Sequence, residues 1–234
     1  MSFSTLGLHT DLLAVLDTLG YQTPTPIQKA AIPEVLAGHD VMAGAQTGTG
    51  KTAAFALPLI QRHLVREISE KAIRVLVLTP TRELAQQVHK SFVKYSQGSG
   101  LNSVVAYGGA SINPQIDELN KGCDVLVATP GRLLELAFKE LIDLSTVETL
   151  VLDEADRMLD MGFIVDIERI LKRLPETRQT LFFSATFNDD VFALSKNILK
   201  QPKLIEVAER NVMAAKIEQR FYEVDNKRKA GLVA

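Results

Sequence analysis

Short, solidly apolar runs recur along the chain, separated by longer helical patterns. This alternation constrains the fold more than any other feature. RVLVLTP and ETLVLDEAD carry apolar residues at consecutive positions. A strand reads that way when both faces are covered, as in a parallel sheet packed between helices. Short β-rich runs, several of them solidly apolar in this way, predict strands at 41–44, 73–78, 103–106, 124–128, 149–152, 180–183 and 203–207. Helical patterns fall between them at 27–36, 53–64, 81–97 and 130–138. The third opens on a threonine N-cap followed by an early glutamate, and the fourth has proline in its first turn. This alternation predicts a doubly wound α/β domain with a mostly parallel sheet and helices on both faces. No internal repeat or low-complexity segment interrupts it.

Composition narrows the function. Of 234 residues, 46% are apolar, enough for a buried core and against global disorder. The formal net charge of −2 excludes a strongly basic nucleic-acid binder, so any such contact must use local groups. Cys123 is the single cysteine, which rules out an intramolecular disulfide and fits a reducing compartment. His9, His39, His63 and His89 lack metal-ligand spacing and read as ordinary imidazoles. The start MSFSTLGLHTDLL is not patterned as a secretory signal, and no apolar run reaches the ~20 residues of a membrane span. A soluble, cytoplasmic protein without membrane contact is expected.

AQTGTGKT, comprising Ala45, Gln46, Thr47, Gly48, Thr49, Gly50, Lys51 and Thr52, follows a predicted strand and precedes a predicted helix. That context fits a phosphate-binding loop. The glycines let backbone N–H groups turn toward phosphate oxygens, and the helix N-terminus adds partial positive charge. Lys51 can reach the β- and γ-phosphates, and Thr52 can bind Mg²⁺. The strict pattern starts with glycine where this chain has Ala45. The plain alternative, a glycine-rich turn, is disfavoured by the strand–loop–GKT–helix order. VLDEAD puts an acidic pair at the end of another predicted strand. The carboxyl edge of such a sheet is where ligands bind. There Asp153 can hold Mg²⁺, directly or through water, and Glu154 can orient an attacking water. Taken alone, the acidic cluster would equally suit a helix start.

These residues resemble the DEAD-box ATP-dependent RNA helicases, whose box is spelled by Asp153-Glu154-Ala155-Asp156. The resemblance runs from Phe3 to the end, and MSFSTLGL with GYQTPTPIQ looks especially like the bacterial RhlE-type members. It implies a RecA-like P-loop fold, with ATP and Mg²⁺ as cofactors and RNA as partner. By resemblance Gln28 reads the adenine edge, Tyr21 stacks on the ring, and Phe3 braces the motif. A carboxamide has the donor and acceptor that adenine N7 and N6 require. Three stretches match the family's RNA-contacting motifs: Pro80-Thr81-Arg82 within PTRELA, Gly108-Gly109, and Thr129-Pro130-Gly131-Arg132. Hydroxyls, backbone N–H groups and an arginine at a helix start suit backbone phosphates and carry no sequence information. Ser184-Ala185-Thr186 matches the segment that links the nucleotide site to strand separation in the family.

The departure lies downstream. Family members carry a second RecA-like domain with an arginine-rich motif of the HRIGR type, and no such motif occurs here. We therefore expect residues 1–207 to form the first RecA-like domain, and 208–234 to be a linker and the truncated start of the second. That second domain is the implied partner, and the resemblance also admits ribosome-assembly or RNA-decay machinery. The expected function is the N-terminal ATP- and RNA-binding half of an ATP-dependent RNA helicase, binding ATP with little turnover. The rivals are a stand-alone ATP-dependent RNA-binding switch that never unwinds, and a different P-loop ATPase such as a DNA translocase. GYQTPTPIQ argues against the last.

Overall fold

The computed structural model describes residues 2–46, 48–65 and 72–207. The expected linker and the strand and helix expected beyond it lie outside the described residues. Seven parallel strands form one sheet in the order β3-β4-β2-β5-β6-β1-β7. They are β1 Val41–Gly44, β2 Val75–Leu78, β3 Ser103–Ala106, β4 Val125–Ala128, β5 Thr149–Leu152, β6 Gln179–Ser184 and β7 Lys203–Glu206. All seven expected strands are present. β2 starts two residues later than expected, because Arg74 N and Val75 N both donate to the single carbonyl of Asp124.

Alternation of side chains across the pleat divides the core into two layers. Val41, Ala43, Val77, Val127, Val151, Leu181 and Phe183 face one side. They pack under α1 Thr10–Thr18, α2 Pro26–Leu36, α3 Lys51–Leu64 and α4 Arg82–Tyr95. Met42, Leu76, Leu78, Leu126, Leu150, Leu152 and Phe182 face the other side. There lie α5 Asn113–Asn120, α6 Pro130–Phe138, α7 Ala155–Asp160, α8 Ile164–Leu171 and α9 Asp189–Ile198. The solidly apolar strands are thus covered on both faces, as their composition requires. α6 matches its expected bounds. α3 starts at Lys51 and α2 at Pro26, slightly earlier than expected, while α4 ends at Tyr95 rather than 97.

A parallel sheet sends every strand's carboxyl end to the same edge. The loop after β1 carries AQTGTGKT, and those after β5 and β6 carry DEAD and SAT. The loops after β2, β3 and β4 carry PTRELA, Gly108-Gly109 and TPGR. In sheet order, the expected RNA motifs occupy β3-β4-β2 and the expected nucleotide motifs occupy β5-β6-β1. No helix among the described residues is long and apolar enough to cross a membrane.

Candidate functional site

The loop leaving β1 is anchored at its first residue, where Ala45 N donates to Ser184 O at 3.1 Å. Thr49 Oγ1 closes the turn on Gln46 O at 2.7 Å. Thr47 lies outside the described residues. Gly50 has a φ of 91°, and a Cβ there would meet Gln28 Nε2 at 2.4 Å. Glycine is required at that position by conformation and by space. Lys51 opens α3 and is 6% exposed, and its Nζ has no hydrogen-bond partner among the described residues.

Asp153 directly follows β5 at 2% exposure, and its Oδ1 likewise has no hydrogen-bond partner among the described residues. Burial pushes its carboxyl up to about 6, against the pull of Lys51. Glu154 caps α7 with φ 56° and ψ 52°, a left-handed conformation uncommon for a side chain of this kind. Its carboxylate pairs with Arg157 at 3.3 Å. Asp156 binds the SAT segment: its Oδ2 accepts from Ala185 N at 3.2 Å, Thr186 N at 3.0 Å and Thr186 Oγ1 at 3.1 Å. Ser184 Oγ donates to Thr186 O at 2.7 Å. The last residue of the DEAD box therefore holds the next strand's loop, a role that its spelling alone does not disclose.

A cleft of about 270 Å³ joins Tyr21, Gln28, Gly48, Gly50, Lys51, Thr52, Asp153 and Glu154. Phe3 does not line it but is buried in the core layer that also holds α2. Gln28 Oε1 accepts from Thr25 N at 2.9 Å, and its Nε2 donates to Gly50 O at 3.1 Å. One carboxamide thus ties the start of α2 to the end of the phosphate loop. An amide has two donors and two lone pairs, so one of each remains for a ligand. The Tyr21 and Tyr95 hydroxyls are 3.1 Å apart, and their rings meet edge to face. Burial and this hydrogen bond raise the Tyr95 pKa. Lys94 Nζ lies 5.1 Å from the Tyr21 ring centroid. Leu84, Gln87, Ser91 and Tyr95 of α4 also line the cleft, a set that sequence reasoning missed. Their helical spacing puts them on one face, a signal present in the sequence.

No group of three or more His, Cys, Asp or Glu with metal-binding geometry occurs among the described residues. Mg²⁺ does not need one, since it keeps several waters and takes one or two protein ligands beside phosphate oxygens. The orphaned Asp153 oxygen and the Thr52 hydroxyl fit that pattern.

The other half of the edge is braced differently. Thr81 caps α4 by accepting from Leu84 N at 3.3 Å, with Pro80 buried just before it. Arg82 is exposed and lies over the Tyr107 ring, 5.0 Å from its centroid. Gly108 and Gly109 are exposed, and Gly108 N donates to Thr129 Oγ1 at 3.3 Å. Pro130 and Gly131 form the first turn of α6. Arg132 is buried rather than presented to solvent. Its Nη2 donates to Ala110 O at 2.8 Å, and its Nε pairs with Glu135 at 3.0 Å. Tyr107 and Gln115, which no sequence motif singled out, lie at the centre of this network.

The comparisons with known proteins bear on this arrangement. A family model described as DEAD/DEAH box helicase matches residues 25–194. The "DEAD-box ATP-dependent RNA helicase CshA" of Streptococcus pneumoniae serotype 4 is 42% identical over 229 residues, covering 98% of this chain and 43% of that protein. The "Probable ATP-dependent RNA helicase ddx27" of Dictyostelium discoideum is 46% identical over 224 residues, covering 95% of this chain and 29% of that one. The crystal structure of a DEAD box protein from the hyperthermophile Methanococcus jannaschii matches with a TM-score of 0.83 at 36% identity, over 100% of this chain and 62% of that chain. The chain spans less than half the length of these curated relatives. Its match to the family model extends over more than half of its residues, and the chain belongs to the DEAD/DEAH box helicase family.

Proposed function

We propose that this chain is the ATP- and RNA-binding first RecA-like domain, within residues 1–207, of an ATP-dependent RNA helicase. One observation carries the nucleotide half. Lys51 Nζ and Asp153 Oδ1 are buried without hydrogen-bond partners among the described residues, on adjoining walls of one cleft. A buried polar atom without a partner costs about 1–3 kcal/mol, more if charged. The triphosphate and its cation offer both groups partners. The phosphate-loop amides and Lys51 bind the anionic end, and Gln28 reads adenine through its remaining donor and acceptor. Mg²⁺, held by Thr52 and by Asp153 directly or through water, supplies charge neutralisation at the phosphate oxygens. Glu154, fixed at the cap of α7, orients the attacking water. On the β3-β4-β2 half, the loops take an RNA backbone without reading its sequence.

Turnover by these 234 residues alone is expected to be slow. Lys51 is the one cationic residue among the described residues lining the cleft. A second cation at the γ-phosphate is worth roughly 10³ to 10⁵ in rate in phosphoryl transfer. We propose that a second RecA-like domain supplies it and completes RNA unwinding. A stand-alone ATP-dependent RNA-binding switch is the alternative function. Parallel calorimetric titration of ATP and GTP with Mg²⁺ tests the nucleotide reading. ATP should bind about ten- to a hundredfold tighter, since guanine presents Gln28 with mismatched groups. Equal affinities would remove Gln28 from its role. RNA-stimulated turnover by this chain at an ordinary enzymatic rate, abolished in Glu154→Gln, would overturn the half-motor reading.

A further inference from the structure

The loop at 107–111 follows β3 and carries Gly108 and Gly109. It is pinned from three directions. Gln115 of α5, 9% exposed, accepts from Tyr107 N at 3.1 Å and donates to Tyr107 O at 3.2 Å and Ser111 O at 3.1 Å. Thr129 holds Gly108 N, and Arg132 holds Ala110 O. The Tyr107 side chain reaches back to α4. Its hydroxyl accepts from Gln86 Nε2 at 2.8 Å, and its ring carries the Arg82 guanidinium at 5.0 Å. Three stretches far apart in sequence thereby become one rigid surface, and Tyr107 is the joint between the β2 and β3 loops.

We propose that Tyr107 is a positioning residue for RNA, acting through Arg82. An exposed arginine has large rotamer freedom, which binding would otherwise have to freeze. A ring beneath the guanidinium favours one placement before the ligand arrives. The Gln86 bond fixes the ring in turn, and Gln115 fixes the backbone that carries it. The Arg82 guanidinium is then already placed when a backbone phosphate of the RNA strand arrives. This inference rests on the RNA-binding reading proposed above.

The test is a double-mutant cycle on the 234-residue chain. The readout is binding to a fluorescent single-stranded oligouridylate at low salt, with Mg²⁺ and a non-hydrolysable ATP analogue. Tyr107→Leu should weaken RNA binding about fivefold, with affinity for the ATP analogue within twofold of the parent. Tyr107→Phe keeps the ring but loses the Gln86 bond, so its loss should be about twofold, between the parent and the Leu variant. In an Arg82→Ala background, Tyr107→Leu should have little further effect, because the group it positions is gone. An equal loss in both backgrounds would overturn the proposal, as would a Phe variant as weak as the Leu variant. Loss of ATP-analogue affinity in the Tyr107 variants would assign the residue a general structural role instead and also overturn it. If the parent chain binds no RNA, the RNA reading falls and this inference with it. That outcome is distinguishable, because it appears before any substitution is made.

Discussion

The two halves of the sheet's carboxyl edge are built on opposite principles. On β5-β6-β1, the groups that face the cleft include a buried ammonium and a buried carboxylate oxygen without hydrogen-bond partners among the described residues. On β3-β4-β2, cross-links dominate: Gln115 holds Tyr107 and Ser111, Thr129 holds Gly108, Arg132 holds Ala110 and Gln86 holds Tyr107, with Arg132 Nη1 the buried atom there left without a partner among the described residues. A pocket that engulfs a small anion gains by keeping strong partners in reserve, since desolvated charge interacts strongly. A surface crossed by a polymer gains by stiffness, because the ligand's backbone, and not the protein, must do the adapting. The two regions meet through α4, which caps on Thr81 and lines the nucleotide cleft with Leu84, Gln87 and Ser91.

The contrast is open to attack from the nucleotide side first. Lys51→Ala should lower ATP affinity about a hundredfold, as expected for losing one charge-assisted bond of about 3 kcal/mol. RNA affinity without nucleotide should stay within twofold. Parallel titrations check both, and a shared loss would show that the halves are not independent.

A pair of glycines gives the next largest difference. Gly50→Ala forces a side chain into a φ of 91° and against Gln28 Nε2, so it should cost about 2–3 kcal/mol of stability. Gly109→Ala meets only a φ of 75°, with nothing within 4 Å, and should cost about 1 kcal/mol. Urea unfolding followed by circular dichroism compares them. Equal costs would mean that Gln28 yields freely, and that its bond to Gly50 O contributes little.

Gln115→Leu probes the braced half. Three hydrogen bonds are lost, partly offset by an apolar replacement, so a cost of about 1–2 kcal/mol is expected with ATP affinity unchanged. Thermal unfolding and an ATP titration measure it. A fall in ATP affinity would extend the bracing into the nucleotide cleft.

The smallest effect is a control at the opposite end of the sheet. Cys123 precedes β4, and burial pushes its thiol up to about 12. The reactive thiolate forms only as pH rises toward that value, so maleimide labelling at pH 7.5 should be slow in the folded protein and fast in urea. Fast labelling of the folded chain would show that this edge opens on its own.

Much of this molecule was legible before its structure. Runs such as VLVLTP suit the two covered faces of a parallel sheet, so the central strands were legible from apolar continuity, while edge strands such as β7, with one buried residue, were legible from their place in the alternation. AQTGTGKT and DEAD were legible because phosphate and metal chemistry demand particular residues at short, local spacing. The helices α1, α5, α7, α8 and α9 were not singled out, because short amphipathic segments of about ten residues or fewer give weak periodic signals. Arg82 and Arg132 look equivalent in sequence, each in the first turn of a helix after a strand. Yet Arg82 lies exposed on a ring, while Arg132 is turned inward onto Ala110.

Local spacing therefore determined the chemistry this chain carries: a glycine-rich loop before a helix, an acidic pair after a strand, and hydroxyls at helix starts. Tertiary structure decided how those groups are divided. Strand order, which no local pattern encodes, sorted six loops into the two halves proposed for nucleotide and for RNA. It also brought Tyr107 beneath Arg82 and Gln28 against Gly50, pairs separated in the chain by more than twenty residues in each case. Such pairs arise from the packing of whole elements, and a hydrogen bond or a ring contact has no sequence period by which to announce itself.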